Sequence, residues 1–462
     1  MLPSSPRARL SPLLVVLLLG CLVRAFLVWA TAGMPARIAD EHHYLEIATS
    51  LVEGRGFAFA AGPTSLRPPL YPYLVAGVWT LTGSQSLVAV RALQVVLGLA
   101  TAWLAFLIAR RVYDARAGVA AAAIVAFYPA LLFANVLILT ETVFALLVLV
   151  VVWAALRLLD RPSLLMAAAT GAAVALAALT RSVLWPFPVV LAALVAWWVP
   201  GSLVRRLALG AAVVAGCALV LAPWAVRNTR LQRVPVLVDT MGGMNLRMGN
   251  YAHTPHDRIW DAVSMGGDKL WIVGLPPEPP GGGVWTEGQK ERWARQEALR
   301  FMREHPGLTA WRALIKFGDF WGLDRDFIAG VERGLYHPPA LVTAVAGVAM
   351  LAAYPVLIVL ALWAIVLSPP ADWRAHVLMV GLVLFVCALH TVVFGHPRYR
   401  LPLMPVLAVY AGAAWTRLEW AAVWRRGAWP ALAGTAALAA LWAIQFAVRD
   451  WPAVARLLRD VS

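Results

Sequence analysis

Acidic residues are scarce in this sequence. It has 24 aspartates and glutamates among 462 residues, and charged residues of all kinds make up only 14%. A soluble globular domain normally has about 25% charged and about 45–50% apolar residues, whereas 61% of this chain is hydrophobic. The scarcity of charge therefore excludes a soluble globular protein and predicts an all-α polytopic membrane protein.

Cysteines and internal repeats are also few or absent. The three cysteines, Cys21, Cys217 and Cys387, are far apart in apolar stretches. They lack the close pairing of a zinc or redox site, so we expect buried apolar side chains. No internal repeat is detectable, which argues against a transporter built from two inverted halves.

Positive charge is plentiful, with a formal net charge of +15. A nucleic-acid partner is disfavoured, because the arginines lie mainly at the ends of apolar segments, where they set topology and contact anionic headgroups. With the N-terminus in the cytoplasm, the inner loops have the excess of arginine that is typical of membrane proteins. These inner arginines are Arg110, Arg111, Arg116, Arg157, Arg161, Arg205, Arg206, Arg374, Arg417, Arg425 and Arg426.

Apolar runs of spanning length recur along the chain and predict about eleven transmembrane helices, each near 20 residues. The predicted spans are Leu10–Trp29, Ser86–Ala109, Ala117–Asn135, Thr142–Leu159, Leu164–Thr180, Val183–Val199, Leu207–Trp224, Ala340–Leu367, His376–Phe394, Leu401–Thr416 and Ala428–Val448. The run Leu70–Leu81 is too short to cross and predicts a re-entrant or interfacial helix. We expect a location in the inner (plasma) membrane.

The spans divide the chain into three regions. Residues 1–224 form an N-terminal transmembrane module, whose first outer loop is 30–85. Residues 225–339 form an extracytoplasmic region with an amphipathic helix at Glu287–Trp311, and residues 340–462 return to the membrane.

The first candidate site is the run Asp40-Glu41-His42-His43-Tyr44, just outside the first span. It opens a helix that should end at Gly54 and Gly56. Asp40 could serve as a helix N-cap, or as a carboxylate that deprotonates an acceptor hydroxyl or amine. His42 and His43 are weak candidates for metal ligands, because adjacent residues on a helix point apart.

The other candidates lie on the same predicted face of the membrane. Glu141 follows Thr140 at an outer span end, where it is either a boundary marker or a functional carboxylate. Arginines on the outer side run against the charge bias, and guanidinium groups bind phosphate in bidentate fashion. These are Arg67, Arg181, Arg227, Arg398 and Arg400. Each alone could merely snorkel to headgroups, but together they predict a phosphate site.

An ordered set of motifs resembles the bacterial branch of the GT-C glycosyltransferases, whose members include protein O-mannosyltransferases and lipid A aminoarabinose transferases (glycosyltransferase family 39-like). The motifs are Asp40-Glu41-x-x-Tyr44-x-x-x-Ala48, Leu139-Thr140-Glu141, Leu179-Thr180-Arg181, Pro223-Trp224-x-x-Arg227-Asn228, Gly242-Gly243-x-Asn245, Gly249-Asn250 and Arg398-Tyr399-Arg400-Leu401-Pro402. No single motif is specific, but their order covers nearly the whole chain.

The resemblance implies a GT-C fold and an inverting transferase. Such an enzyme takes a sugar from a polyprenyl-phosphate carrier on the extracytoplasmic face and passes it to a lipid, glycan or protein acceptor. It implies Asp40 as general base, with Glu41 and Glu141 as further catalytic candidates. The implied substrate-binding residues are Tyr44, Arg67, Arg181, Arg227, Asn228, Asn250, His396, Arg398, Tyr399 and Arg400. A divalent metal ion is possible, and no other cofactor is implied.

Two departures from the family pattern and two alternative functions stay open. His42-His43 has no counterpart in the family pattern, and the region 225–339 is too small for the large soluble domain of the oligosaccharyltransferase relatives. A transporter or flippase of a lipid-linked or anionic substrate would also use membrane-embedded charges. A transporter would have those charges at mid-span. Here most of the charges lie at the outer ends of spans, and Arg24, inside the first span, is the main exception. An O-antigen ligase-like enzyme would also use outer arginines.

Overall fold

A computed structural model of the chain describes residues 11–256, 259, 272–418 and 427–450. Leu10, Arg425 and Arg426, named above, lie outside the described residues. The described part is all-α, as predicted, apart from an antiparallel pair of two-residue strands, β1 (Ala58–Phe59) and β2 (Gly62–Pro63). The helices, in chain order, are α1 (Pro12–Ala30), α2 (Ala39–Val52), α3 (Leu70–Thr82), α4 (Leu87–Val112), α5 (Ala115–Phe127), α6 (Pro129–Ala134), α7 (Glu141–Asp160), α8 (Leu164–Ala178), α9 (Phe187–Trp198), α10 (Leu203–Gln232), α11 (Gly242–Gly249), α12 (Glu287–Glu304), α13 (Pro306–Phe320), α14 (Asp326–Glu332), α15 (Ala340–Leu367), α16 (Trp373–Val392), α17 (Met404–Arg417) and α18 (Trp429–Gln445).

Seven of the described helices are long and apolar enough to cross a membrane: α1, α4, α7, α10, α15, α16 and the segment Trp429–Val448 that contains α18. Shorter apolar helices lie at Ala115–Phe127, Leu164–Ala178 and Ser182–Trp198. The prediction of a multi-pass membrane protein is confirmed. The number of crossings stays a prediction, since three predicted spans fall on these shorter helices and a fourth, Leu401–Thr416, falls on a 3-10 turn and the 14-residue α17.

The predicted continuous span Ala117–Asn135 is interrupted. Pro129 has no N–H and cannot continue α5, so the chain breaks there and restarts as α6. The break leaves backbone carbonyls to be satisfied, and Arg24 of α1 does so. Its guanidinium donates to the carbonyl of Ala126 at 2.5 Å and to Asn135 Oδ1 at 2.6 Å. Arg24, the main mid-span charge, therefore has a structural role here and is not evidence for a transport path.

Helices α8 and α10 cross at glycines. A Cβ atom added to Gly171 would lie 1.9 Å from the carbonyl oxygen of Val213, and one added to Gly216 would lie 2.1 Å from that of Ala168. Both distances are far below van der Waals contact, and in each case the obstructing atom is backbone. Small residues allow such close approach of membrane helices.

We expect Gly171→Ala to lower the thermal unfolding temperature of the detergent-solubilised protein by several degrees. A helical Gly→Ala change alone adds about 1 kcal/mol of stability, but overpacking against backbone costs about 1–3 kcal/mol or more. Gly381→Ala in α16 is the matched control, because nothing lies within 4 Å of the added Cβ. The prediction fails if both variants unfold at or above the wild-type temperature.

The first outer loop contains the two predicted helices, α2 and α3. Helix α2 ends at Val52, and Gly54 and Gly56 follow with φ of 76° and 81°. These left-handed angles favour glycine, so the predicted stop is confirmed. The region predicted as one helix over Glu287–Trp311 is instead two helices, α12 and α13. The helix restarts at Pro306, because proline suits the first turn of a helix but not its interior.

Glu287, at the start of α12, fixes the chain that follows the β1–β2 hairpin. Its carboxylate accepts hydrogen bonds from Thr64 Oγ1 and from the Ser65 N–H, each at 2.6 Å. Gln232 at the end of α10 donates to the same carboxylate at 3.2 Å. The first outer loop is thereby attached to the 225–339 region two residues before Arg67.

Candidate functional site

Asp40 and Glu41 have opposite surroundings although they are adjacent. Glu41 is buried and caps α2, because its carboxylate accepts the N–H groups of Arg37 at 2.8 Å and Ile38 at 3.0 Å. Its second oxygen accepts the Ile138 N–H at 2.8 Å and so fixes the segment that leads to α7. Glu41, and not Asp40, therefore makes the capping contacts of α2, and the structure does not bring it into the cavity that Asp40 faces.

Asp40 faces a cavity and is held between two arginines. Arg67 Nη2 lies 2.5 Å from Asp40 Oδ1, and Arg398 Nη1 lies 3.1 Å from Oδ2. The side chain keeps 27% of its exposure, so the carboxylate is accessible from the cavity. Burial opposes its ionisation, but the Arg67 and Arg398 guanidinium groups outweigh burial and hold the pKa of Asp40 below its usual range.

Glu141, at the start of α7, is bound to two arginines in the same way. Arg398 Nε donates to Glu141 Oε1, and Arg181 Nη1 lies 3.1 Å from that oxygen. The Glu141 side chain is only 2% exposed. Since Arg398 contacts both carboxylates, the five side chains form a row of alternating charge. We call this row (Arg67, Asp40, Arg398, Glu141, Arg181) the charge row.

The charge row has three cations and two anions, and it borders a cavity of about 280 Å³. Asp40, Arg67, Arg181 and Arg398 line this cavity directly, and Glu141 lies behind Arg398. We call it the Asp40 cavity. Its arginines come from three distant parts of the chain, and the fold brings the motifs that contain Arg181 and Arg398 close to Arg67. Phosphate groups bind such guanidinium clusters strongly.

Local backbone structure positions each arginine. Arg67 follows the segment that Glu287 holds. Arg181 lies three residues beyond the end of α8 at Ala178. The Leu70 N–H donates to the Leu179 carbonyl at 3.0 Å and so joins α3 to this end of α8. Arg398 lies in a short 3-10 helix before α17, and the His396 ring accepts its backbone N–H at 3.2 Å.

Aromatic rings pack against the arginines. The Arg67 guanidinium lies 5.5 Å from the Tyr44 ring centroid, and Arg181 lies 5.5 Å from that of Tyr399. Tyr399 also stacks on His390 at 4.4 Å. Both tyrosines line the cavity, so the structure brings these two predicted residues to the site.

Arg227 and Asn228 lie outside the Asp40 cavity. Arg227 donates to the carbonyl oxygens of Thr64 at 2.6 Å and Phe57 at 2.9 Å, and its guanidinium stacks on Trp224. Asn228 is buried and donates to the Val238 carbonyl at 2.9 Å. Both were predicted to bind substrate, but their contacts fasten the hairpin loop to α10.

Asn250 and Arg400, which were also predicted to bind substrate, do not line the Asp40 cavity either. Asn250 donates to the Val392 carbonyl at 3.0 Å and accepts from Lys316 Nζ at 2.8 Å. Arg400 is buried, with its guanidinium 2.5 Å from the Phe320 carbonyl and 3.8 Å from the Tyr354 ring centroid. Sequence proximity to Arg398 therefore does not bring Arg400 into the cavity.

His396 lines a neighbouring cavity of about 200 Å³ on the far side of Arg398. Asp324, Asp326 and Tyr336 line the same space, and His396 Nε2 lies 3.8 Å from Asp326 Oδ1. Arg398 thus borders both cavities. The two acidic residues were not singled out from the sequence, since no motif marks them.

The histidine and carboxylate side chains at the Asp40 cavity do not form a site for a divalent metal ion. His42 is exposed, whereas His43 lies against Arg67, with Nδ1 at 2.8 Å from Nη2. Asp40 and Glu141 are already paired with arginines, whose charge would repel a cation. Within the described residues, no three His, Cys, Asp or Glu side chains lie close enough to hold a metal ion. The weak prediction of a metal site at His42 and His43 therefore gains no support from the geometry.

Asp239 is a cavity residue that the sequence did not reveal. It follows α10, and its carboxylate accepts the Met241 N–H at 3.0 Å. Ser182 and Asn245 line the cavity beside it. A lone aspartate in a long polar segment gives no sequence signal, and only the fold brings it next to Ser182, which follows α8.

Comparisons with known proteins bear on this geometry. The model of the dolichyl-phosphate-mannose-protein mannosyltransferase family matches residues 66–226, which include Arg67, Glu141 and Arg181. No curated protein matches the sequence. An oligosaccharyltransferase from Archaeoglobus fulgidus, solved in complex with Zn and sulfate, is similar over 93% of this chain and 52% of its own, with 14% identity and a TM-score of 0.52. The fold is the GT-C fold.

Two further solved structures are similar to this chain. ArnT from Cupriavidus metallidurans, bound to undecaprenyl phosphate, has 16% identity and a TM-score of 0.43, with 87% of this chain and 77% of that chain covered. AglB from Archaeoglobus fulgidus, in complex with an inhibitory peptide and a dolichol-phosphate, has 12% identity and a TM-score of 0.43, with coverages of 92% and 54%. The chain spans about half the length of the archaeal oligosaccharyltransferase. The predicted resemblance to GT-C glycosyltransferases is confirmed.

Proposed function

We propose that this protein is an integral-membrane inverting glycosyltransferase that moves a sugar from a polyprenyl-phosphate carrier to an extracytoplasmic acceptor. The charge row at the Asp40 cavity is the observation that supports the proposal most directly. It places an accessible carboxylate among three guanidinium groups at the ends of apolar helices. A lipid tail can stay in the bilayer while its phosphate and sugar enter such a site.

The arginines would bind the carrier phosphate and stabilise its departure. When the bond between the sugar C1 and the phosphate oxygen breaks, negative charge grows on the phosphate, and fixed cations lower the energy of that transition state. Arg67, Arg181 and Arg398 supply such fixed positive charge. Their existing ion pairs with carboxylates keep them in place before the donor arrives.

Asp40 would act as the general base. The acceptor hydroxyl or amine attacks C1 from the face opposite the phosphate, its proton passes to Asp40, and polyprenyl phosphate leaves with the bonding electrons. Asp40 is a weak base while both arginines contact it, since its pKa lies below the usual range. A bound phosphate competes for Arg67 and Arg398, which weakens these ion pairs and makes Asp40 more basic when the donor is present.

The extracytoplasmic location of the site rests on charge asymmetry. Arginines concentrate at the opposite helix ends, as at Arg110 and Arg111 in the last turn of α4 and Arg157 in that of α7. By the positive-inside rule those ends face the cytoplasm. Asp40 and Glu141 lie at the other ends, so the Asp40 cavity faces the outside.

A screen of lipid-linked sugars tests the proposal. Purified protein is incubated with undecaprenyl phosphate carrying single hexoses or pentoses and with an extract of envelope lipids and glycans. We expect release of undecaprenyl phosphate from at least one donor and a product whose mass increases by that of one sugar residue. The absence of both binding and turnover across the panel would contradict the function, as would movement of an intact donor across vesicles without transfer.

A further inference from the structure

One wall of the Asp40 cavity is not used by the phosphate and base chemistry. It is formed by the segment from Asp239 to Met248, which contributes Asp239, Asn245 and three methionine side chains. Ser182 borders the same wall. The charge row lies on other elements, namely α2, α7, the end of α8, the segment before α3 and the turn before α17. The cavity therefore has a cationic side and a side with neutral and acidic hydrogen-bonding groups.

The backbone on both sides of Asp239 is firmly held. The Val238 carbonyl accepts from Trp224 Nε1 at 2.8 Å and from Asn228 Nδ2 at 2.9 Å. The Thr240 N–H donates to the Ser65 carbonyl at 3.0 Å. Asp239 is thus fixed to α10 on one side and to the first outer loop on the other, and its backbone cannot turn away without loss of these bonds.

Asp239 differs from the other two carboxylates of the site. Asp40 and Glu141 are bound to arginines, whereas Asp239 makes no ion pair with the described arginines of the charge row. Burial raises its pKa to about 6, against the opposing effects of the Ser182 side chain, the Met241 N–H and the more distant Arg67 guanidinium. At neutral pH it is a poorly solvated carboxylate, and ligand hydroxyl groups would restore the hydrogen bonds that burial removes.

We infer that Asp239 is a specificity-determining residue that accepts hydrogen bonds from hydroxyl groups of the donor sugar, with Ser182 and Asn245 beside it. This inference rests on the proposed function and extends it to sugar recognition. A carboxylate next to an amide suits vicinal hydroxyls, because both present acceptor oxygens in fixed positions. The phosphate side would hold any carrier-linked sugar, and the Asp239 side would distinguish one sugar from its epimers.

Competition between donors tests the assignment. Wild-type, Asp239→Asn and Asp239→Ala proteins are given pairs of undecaprenyl-phosphate sugars that differ at one hydroxyl, and the ratio of their kcat/KM values is measured. We expect the ratio for at least one pair to fall by tenfold or more in Asp239→Ala, with a smaller fall in Asp239→Asn. Sites that bind a substrate hydroxyl discriminate strongly against analogues without it.

Glu46→Gln on α2 is the matched control for charge. It removes one negative charge from a side chain that bonds the Ala60 N–H at 2.7 Å outside the cavity. We expect its donor ratios to equal those of the wild type. Thermal unfolding of each variant checks folding, and binding of undecaprenyl phosphate without a sugar checks the phosphate side, which should stay intact or tighten in Asp239→Asn.

The outcomes separate the two proposals. If wild-type protein transfers sugar but the Asp239 variants lower kcat/KM for all donors in parallel, or leave every ratio unchanged, Asp239 does not select the sugar. If wild-type protein neither binds nor uses any donor, the proposed function itself fails, and the assignment of Asp239 fails with it.

Discussion

Replacement of Asp40 by asparagine should lower kcat by about 10³-fold, within the range that a positioned general base contributes. Asparagine keeps the size of the side chain but cannot take the proton from the hydroxyl or amine that attacks the sugar. Loss of the negative charge releases Arg67 and Arg398 from Asp40, while Arg398 keeps its ion pair with Glu141, so affinity for undecaprenyl phosphate should stay equal or rise. Single-turnover transfer and phosphate-lipid binding, measured side by side, check both parts.

Stability distinguishes a lost base from a damaged fold. Because the folded pKa of Asp40 lies below its unfolded value of about 3.9, the ionised carboxylate stabilises the fold at neutral pH, and this contribution is lost only as the pH falls through the acidic range. The Asn variant lacks it at pH 7 and should unfold at a modestly lower temperature. Full transfer activity in a folded Asp40→Asn protein would exclude Asp40 as the base.

Every member of the charge row was named from the sequence, together with other charged residues that lie elsewhere. Asp40, Arg67, Arg181 and Arg398 stand out because charge is costly near apolar spans and outer arginines oppose the usual bias. Those physical grounds apply whatever the fold, and the structure brings the four side chains to one cavity. The prediction that Asp40 is the base stays a prediction, since geometry alone does not measure proton transfer.

Other polar residues could not be sorted by sequence. Glu41 and Arg227 carry the same kinds of charge as the cavity residues and also lie in the quoted motifs, yet they bind backbone groups of distant segments. A carboxylate that caps a helix and one that faces a ligand differ only in the direction of the side chain. Neighbouring residues on a helix point about 100° apart, which is enough to give Asp40 and Glu41 different surroundings. Asp239 was missed for the converse reason, because its neighbours come from three separate elements.

Arg398 is the residue whose replacement should have the broadest effect, because among the described residues it alone contacts both carboxylates of the charge row. We expect Arg398→Lys to lower kcat/KM by about 10²-fold, since lysine keeps the charge but a single ammonium cannot replace the fork that bridges two carboxylates. Arg398→Ala should lose more activity and also stability, because Glu141 is buried and would keep only Arg181. Steady-state kinetics and thermal unfolding measure the two effects.

Arg400→Lys is the sharpest comparison, two residues along the same turn. Its guanidinium is buried but contacts the Phe320 carbonyl and the Tyr354 ring, outside the Asp40 cavity. We expect it to lower the unfolding temperature while kcat/KM stays within about threefold of wild type, as for a residue with no transition-state contact. Equal losses of kcat/KM for Arg398→Lys and Arg400→Lys would mean that the turn before α17 acts through stability alone, and the phosphate role of Arg398 would be wrong.

Asp40 and Arg398 contact each other, so we expect their effects on activity to be coupled. The loss of kcat/KM in the double variant Asp40→Asn, Arg398→Lys should be smaller than the product of the two single losses.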